Sequence, residues 1–134
     1  MEPIFRVDGD RVVTSPDAAG PWDPRMQHGS APAALVVWAA EAIPTPVPMR
    51  IARVTIDLMR PVPVAPLTVS SEILRDGRKI QLCGVRLLAD GVLVVSATVL
   101  KIKRQAAELP SDIAAVQVEL PGPDESMVEP GNLA

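Results

Sequence analysis

The chain has 134 residues, enough for one compact domain, and 48% of them are apolar, which excludes a disordered chain. Aromatics are only 2% (Phe5, Trp22, Trp38), so Val, Leu, Ile, Ala and Met must build the core, and no platform for stacking nucleic-acid bases exists. A formal net charge of −3 gives no overall attraction to phosphate backbones, so nucleic acid is not an expected partner.

The chain opens with two short strand signals, around Ile4–Val7 and Arg11–Ser15, joined at Asp8-Gly9, a type I′ hairpin pair. A loop follows from Pro16 to Gly29, where Pro16, Gly20, Pro21 and Pro24 forbid regular structure. Ser30 then reads as a helix N-cap, with Pro32 tolerated in the first turn because its missing N–H would have been unpaired anyway. The helix is predicted to run to Ile43, where Pro44, Pro46 and Pro48 stop it. Only Glu41 is charged between Ala31 and Ile43. A helix without a polar face is expected to be buried on all sides, and about 21 Å of it cannot cross a bilayer. Burying Leu35, Val36, Val37, Trp38 and Ile43 would contribute about 1.5–3 kcal/mol each.

Four long strand signals come next. Met49–Val62 sets Ala52, Val54, Ile56 and Leu58 against Arg53, Thr55 and Asp57; Leu67–Arg75 alternates in the same way. Asp76-Gly77 and Asp90-Gly91 supply hairpin turns into Arg78–Ala89 and Val92–Lys103, both predicted to need positive φ. Val92–Leu100 is apolar on both faces and is expected in the middle of the sheet. Strands this long curve. The order β-β-α-β-β-β-β, a curved antiparallel sheet around one apolar helix, is the α+β hotdog architecture.

Charge divides the chain. Residues 1–104, the predicted hotdog domain, hold 13 bases and 10 acids and stand at +3. Residues 105–134 hold 6 acids and no base, with four prolines and two glycines, and read as an acidic linker or tail. Within it, Ile113–Leu120 is an apolar run able to add a strand or dock on the body.

Three stretches carry a family resemblance: Trp22 through His28-Gly29-Ser30-Ala31-Pro32-Ala33-Ala34-Leu35; Val54 to Val62, containing IDLMRPV; and Arg75 to Leu82, reading RDGRKIQL. Together they resemble the first half of thioesterase-like double-hotdog proteins related to acyl-CoA thioesterase II, over roughly residues 5–104. The resemblance implies an acyl-CoA thioester as ligand or substrate at a hotdog dimer interface, with no cofactor beyond the coenzyme A the substrate carries. Such proteins carry two hotdogs in a chain of about twice this length, so this chain is either a natural single hotdog or an N-terminal half. Their Asp-Thr/Ser-Gln catalytic set lies mainly in the second repeat. In another hotdog thioesterase group, His-Gly-Gly opens the helix and a carboxylate follows about nine residues on; here that count reaches Val37, then Trp38, neither a base nor a nucleophile.

The candidate residues follow. The amides of Gly29, Ser30 and Ala31 at the helix N-terminus can polarise a thioester carbonyl and hold its oxyanion; the plainer role is ordinary capping. His28 beside them is a candidate base or thioester donor, or else a loop histidine bonded to a carbonyl. Asp57 is a candidate catalytic carboxylate, with an outer-face salt bridge to arginine as the stronger expectation. Gln81 is a candidate substrate contact across a subunit boundary, or a solvated strand residue. Arg78 and Lys79 are candidates for the phosphates of coenzyme A, or part of a solvated basic rim. Glu41 is either an exposed helix-end charge or a displaced catalytic carboxylate. Cys83, mid-strand without a basic neighbour, reads as a small core residue.

One cysteine and one histidine exclude a disulfide framework and a thiolate or poly-histidine metal site, so no metal is expected. With no run of eighteen apolar residues and a polar N-terminus, a cytoplasmic, membrane-free location is expected. Two functions stay open: hydrolysis of acyl-CoA by activated water, or a non-catalytic acyl-binding half whose active residues lie in a second repeat or partner chain. An open sheet edge favours a homodimer or pairing with a second hotdog.

Overall fold

The computed structural model describes residues 3–108, together with 110 and 122. The predicted acidic stretch 105–134, with its apolar run Ile113–Leu120, lies almost wholly outside the described residues. The elements are β1 (Phe5–Asp8), β2 (Arg11–Thr14), a 3-10 turn (Pro16–Ala18), α1 (Ser30–Glu41), β3 (Met49–Leu58), β4 (Leu67–Asp76), β5 (Ile80–Ala89) and β6 (Val92–Lys103). The strands form one antiparallel sheet in the order β1-β2-β4-β5-β6-β3, with α1 on its inner face. This is the predicted hotdog. As expected from its apolar faces, β6 lies inside the sheet, between β5 and β3.

Period-two alternation aims Cys83, Val85 and Leu87 of β5 and Val95, Ala97 and Val99 of β6 at α1, which answers with Leu35, Val36, Ala39 and Ala40. All ten are nearly or wholly buried. Cys83 is free and sits in this core, where burial pushes its thiol pKa up.

The helix corrects one expectation. It is not buried on all sides: Ser30, Ala34 and Glu41 are exposed, and Trp38 is 49% exposed. Among the described residues the sheet packs on one side of α1, which leaves Ala34 and Trp38 of the other side uncovered. Its first helical residue is Ser30, with Gly29 at the N-cap position, and it ends at Glu41, two residues before the predicted stop.

The turns show which glycines need their freedom. Asp90 (φ 49°) and Gly91 (φ 73°) both take positive φ, as a type I′ hairpin requires. In the first hairpin Asp8 pairs with Arg11, so the loop is Gly9-Asp10 and only Gly9 (φ 61°) is left-handed, the type II′ pattern. Gly77 keeps a negative φ, because Asp76 pairs with Gln81 and a four-residue loop relaxes the turn. β3 stops at Leu58 instead of Val62: Met59 and Arg60 both donate to the Val94 carbonyl, at a bulge in β6, and Pro61 follows.

Candidate active site at the N-terminus of the helix

The loop before α1 is tied to its surroundings by backbone bonds. Gln27 N–H donates to the Val62 carbonyl (2.7 Å) and His28 N–H to the Ala18 carbonyl (2.8 Å). The Gln27 side-chain amide donates to the Pro63 carbonyl at 2.8 Å. These bonds fix where the helix begins. They also fix the amide orientation of Gln27, leaving its Oε1 buried without a partner among the described residues.

His28 is exposed, and its Nδ1 lies 2.7 Å from Ser30 Oγ and accepts from Ser30 N–H at 3.3 Å. The ring therefore caps the first turn through Nδ1. Ala31 N–H donates to the His28 carbonyl at 2.9 Å. Of the three predicted amides, then, those of Ser30 and Ala31 are engaged locally. The Gly29 N–H has no acceptor among the described residues. It stands at the positive end of α1, beside an open cavity of about 320 Å³ lined by Met26, Pro32, Leu58, Met59 and Arg60 among others. A Cβ at Gly29 would meet only Leu58 Cδ1, at 3.8 Å.

The remaining predicted residues do not join this group within one chain. Asp57 is near in sequence to Leu58 but lies on the opposite face of β3, paired with Ser96, and its carboxylate has no ion pair among the described residues. The ion pairs seen are Arg25–Asp23 and Arg86–Glu72, both exposed; the Arg25 hydrogen bond holds the Asp23 carboxyl below its usual range.

Gln81 is at the other end of α1, about 18 Å away along the helix axis. It is fully buried, and its Nε2 donates to the Pro44 carbonyl (2.9 Å) and to Asp76 Oδ1 (3.3 Å), while its Oε1 accepts from Cys83 Sγ (3.4 Å). Its hydrogen bonds run to the chain leaving the helix at Pro44, to the end of β4 at Asp76 and to Cys83 of its own strand. Arg78 and Lys79 are exposed in the turn beside it.

Sequence reasoning missed the burial of Lys101, which is 4% exposed and donates from Nζ to the Ile43 carbonyl at 2.9 Å. An ammonium there neutralises the negative end of α1. The signal was present: Lys101 continues the Val95-Ala97-Val99 alternation onto the inner face. It lines a cavity of about 570 Å³ with Glu41, Ile43, Thr45, Met49 and Arg50.

Comparison with known proteins gives the arrangement a context. Residues 18–102 match the family described as acyl-CoA thioesterase N-terminal domain. A hot dog-fold protein of unknown function from Alicyclobacillus acidocaldarius superposes with a TM-score of 0.72 at 22% identity, over 96% of this chain and 48% of that one. This chain thus spans about half the length of that protein. A Bacillus halodurans protein solved with CoA (TM-score 0.61, 16% identity, 77% and 74% of the two chains) shares the fold. So does a Streptococcus mutans protein bound to acetyl-CoA (0.62, 16%, 71% and 82%). No curated protein matches the sequence. With 85 contiguous residues matched across the helix and all four long strands, the chain belongs to the acyl-CoA thioesterase N-terminal domain family.

Proposed function

We propose that this domain binds the thioester group of an acyl-CoA at the N-terminus of α1, with the Gly29 N–H donating to the carbonyl oxygen. The observation that carries this reading is that unengaged N–H beside a largely apolar cavity, at the positive end of α1. Such a donor stabilises charge that develops on oxygen when water attacks a thioester. His28 directly precedes Gly29, and its Nδ1 bond to Ser30 holds the ring in place. The CoA-bound structures from B. halodurans and S. mutans support a CoA ligand for the fold. Arg78 and Lys79 are the candidates for its phosphates, in the cytoplasm.

The residues that line the cavity beside Gly29 include no carboxylate, and a second hotdog supplies one. β3 is an open edge. Because Ala52 is an extra residue at a bulge, Arg50, Arg53, Thr55 and Asp57 share the outer face of β3, and Met49, Ile51, Val54, Ile56 and Leu58 the inner. An antiparallel pairing of two copies centred on Val54 sets Arg50 of each opposite Asp57 of the other. It also sets Leu58, beside Gly29, opposite Met49 of the second copy, which shares a cavity with Glu41 and Lys101. Glu41 of one copy thereby becomes the carboxylate for the other.

Calorimetric titration with CoA and acyl-CoAs, paired with a thiol-release assay, tests the function. Binding with slow turnover is expected, since a poorly placed general base forfeits on the order of 10²–10⁴ in rate. Failure to bind acyl-CoAs of any chain length overturns the proposal.

A further inference from the structure

The hydroxyl of Ser30 is bonded on one side only. Its Oγ lies 2.7 Å from His28 Nδ1, and the same Nδ1 accepts from the Ser30 N–H at 3.3 Å. A ring nitrogen that accepts from an amide carries no proton, so the proton in the short contact belongs to the hydroxyl. Ser30 O–H therefore donates to His28 Nδ1, and Nε2 holds the ring's own proton. Ser30 Oγ accepts no hydrogen bond among the described residues, and both residues are exposed. The N-cap position belongs to Gly29, so the hydroxyl is not spent on capping. A serine that donates to an imidazole and keeps its lone pairs free is the pairing that makes a hydroxyl nucleophilic.

The surroundings suit acyl transfer. Covalent geometry keeps Ser30 Oγ within about 6–7 Å of the Gly29 nitrogen. A carbonyl whose oxygen takes the Gly29 N–H thus has its carbon within reach of that hydroxyl. The positive end of α1 favours the negative charge that develops on both oxygens. A sign of a ligand that does not depend on the serine and histidine comes from Gln27. It lines the cavity beside Gly29, and its Oε1 is buried without a partner among the described residues. An unmet buried acceptor calls for a donor from outside the chain, and the amide N–H groups of a pantetheine arm are such donors.

Resting on the thioester reading above, we infer that Ser30 is the nucleophile and His28 its general base, and that the reaction passes through an acyl-serine ester. Ser30 Oγ bonds to the thioester carbon as His28 Nδ1 takes the hydroxyl proton. The C–S bond then breaks and the proton passes to sulfur, releasing the free thiol of CoA. Water next adds to the ester carbon and gives a proton to Nδ1; Oγ leaves and takes that proton back, releasing the carboxylic acid. Neither half needs an oxidant or a reductant. The residues lining the cavity include no carboxylate to assist the water, so the second half is the slow one and the acyl-serine accumulates.

The test mixes the protein with acetyl-, octanoyl- or hexadecanoyl-CoA, follows thiol release through the first turnover, and locates the acyl group by mass spectrometry after an acid quench. Wild type should release one thiol per chain in a burst and carry the acyl group on Ser30. Ser30→Ala, which keeps the backbone N–H on Nδ1, should still bind acyl-CoA in calorimetry but lose the burst and the adduct; Ser30→Cys should keep both. His28→Ala should slow the burst by about 10²–10⁴. Binding without a burst or an adduct in wild type, or thiol release untouched by Ser30→Ala, overturns the serine mechanism and leaves thioester binding standing. No binding of any of the three overturns the thioester reading itself. An alkyl fluorophosphonate tests the serine independently of that reading: it should label Ser30 in wild type and not in His28→Ala, and a wild-type chain that stays unlabelled overturns the nucleophile.

Discussion

Replacing Gln81 with Leu separates a structural role from a catalytic one. Leu is close in size, so the change removes hydrogen bonds without opening a large cavity. Two donated bonds are lost, to the Pro44 carbonyl and to Asp76, together with the acceptor for the Cys83 thiol. Each ordinary bond is worth about 1 kcal/mol net. Pro44 and Asp76 are exposed, so water can replace Gln81 at both, and only the weak S–H donor of Cys83 is left buried without a partner. Relief from burying the amide offsets part of the loss, for a net destabilisation of about 1–2 kcal/mol. For a body of this size that lowers Tm by about 4–16 °C. Differential scanning calorimetry reads the shift, and titration with acyl-CoA at a temperature where both proteins are folded should give unchanged affinity. An unchanged Tm with lost binding would refute the placement of Gln81 as an anchor for the chain leaving α1.

Lys101→Ala removes a buried ammonium from the Ile43 carbonyl and leaves space at the end of the helix; a loss of about 2–4 kcal/mol in urea unfolding is expected, combining a charged hydrogen bond with lost packing. Cys83 should resist a thiol reagent in the native protein and react once urea unfolds the chain, because burial disfavours its thiolate. The same raised pKa means that the unfolded thiol ionises first, so stability falls as pH climbs past the ordinary thiol range and is unaffected below it; unfolding followed across that range checks the sign. For the edge pairing, Val54→Cys should form a disulfide-linked dimer on mild oxidation, more readily than Thr55→Cys. Asp57→Arg should weaken the dimer and Arg50→Asp in the same chain should restore it, as read by sedimentation; a monomeric wild type at micromolar concentration contradicts the pairing.

Strand positions were legible because Val, Ile and Leu alternate with Thr, Ser and charged residues, and because Asp90-Gly91 needs a left-handed turn. The ends were less so. Nothing in IDLMRPV says that β3 stops at Leu58; the stop comes from the Val94 bulge one strand away, a tertiary effect. The apolar composition of α1 correctly announced a central helix but not which side stays uncovered, since that depends on how far the sheet curves. At the site, Gly29 and His28 were visible as a helix start. Which amide remains free was not visible, because it depends on the ring of His28 turning back to Ser30. Gln81 and Lys101 sit on the inward positions of β5 and β6, so their burial could be read from alternation, while their partners Pro44 and Ile43 could not.

The central claim is that one backbone N–H, that of Gly29, receives the thioester carbonyl, and a pair of substitutions isolates it. Gly29 has φ −57° and ψ −22°, so proline fits its backbone while deleting the N–H, and alanine keeps the N–H with ordinary contact to Leu58. Acyl-CoA affinity and turnover should be near wild type in Gly29→Ala. In Gly29→Pro, affinity should fall by about 2- to 12-fold, for one lost hydrogen bond of about 0.5–1.5 kcal/mol. Turnover should fall by about 10²–10³, for one lost oxyanion donor. Equal affinity and turnover in the two variants, both folded by calorimetry, would contradict the account.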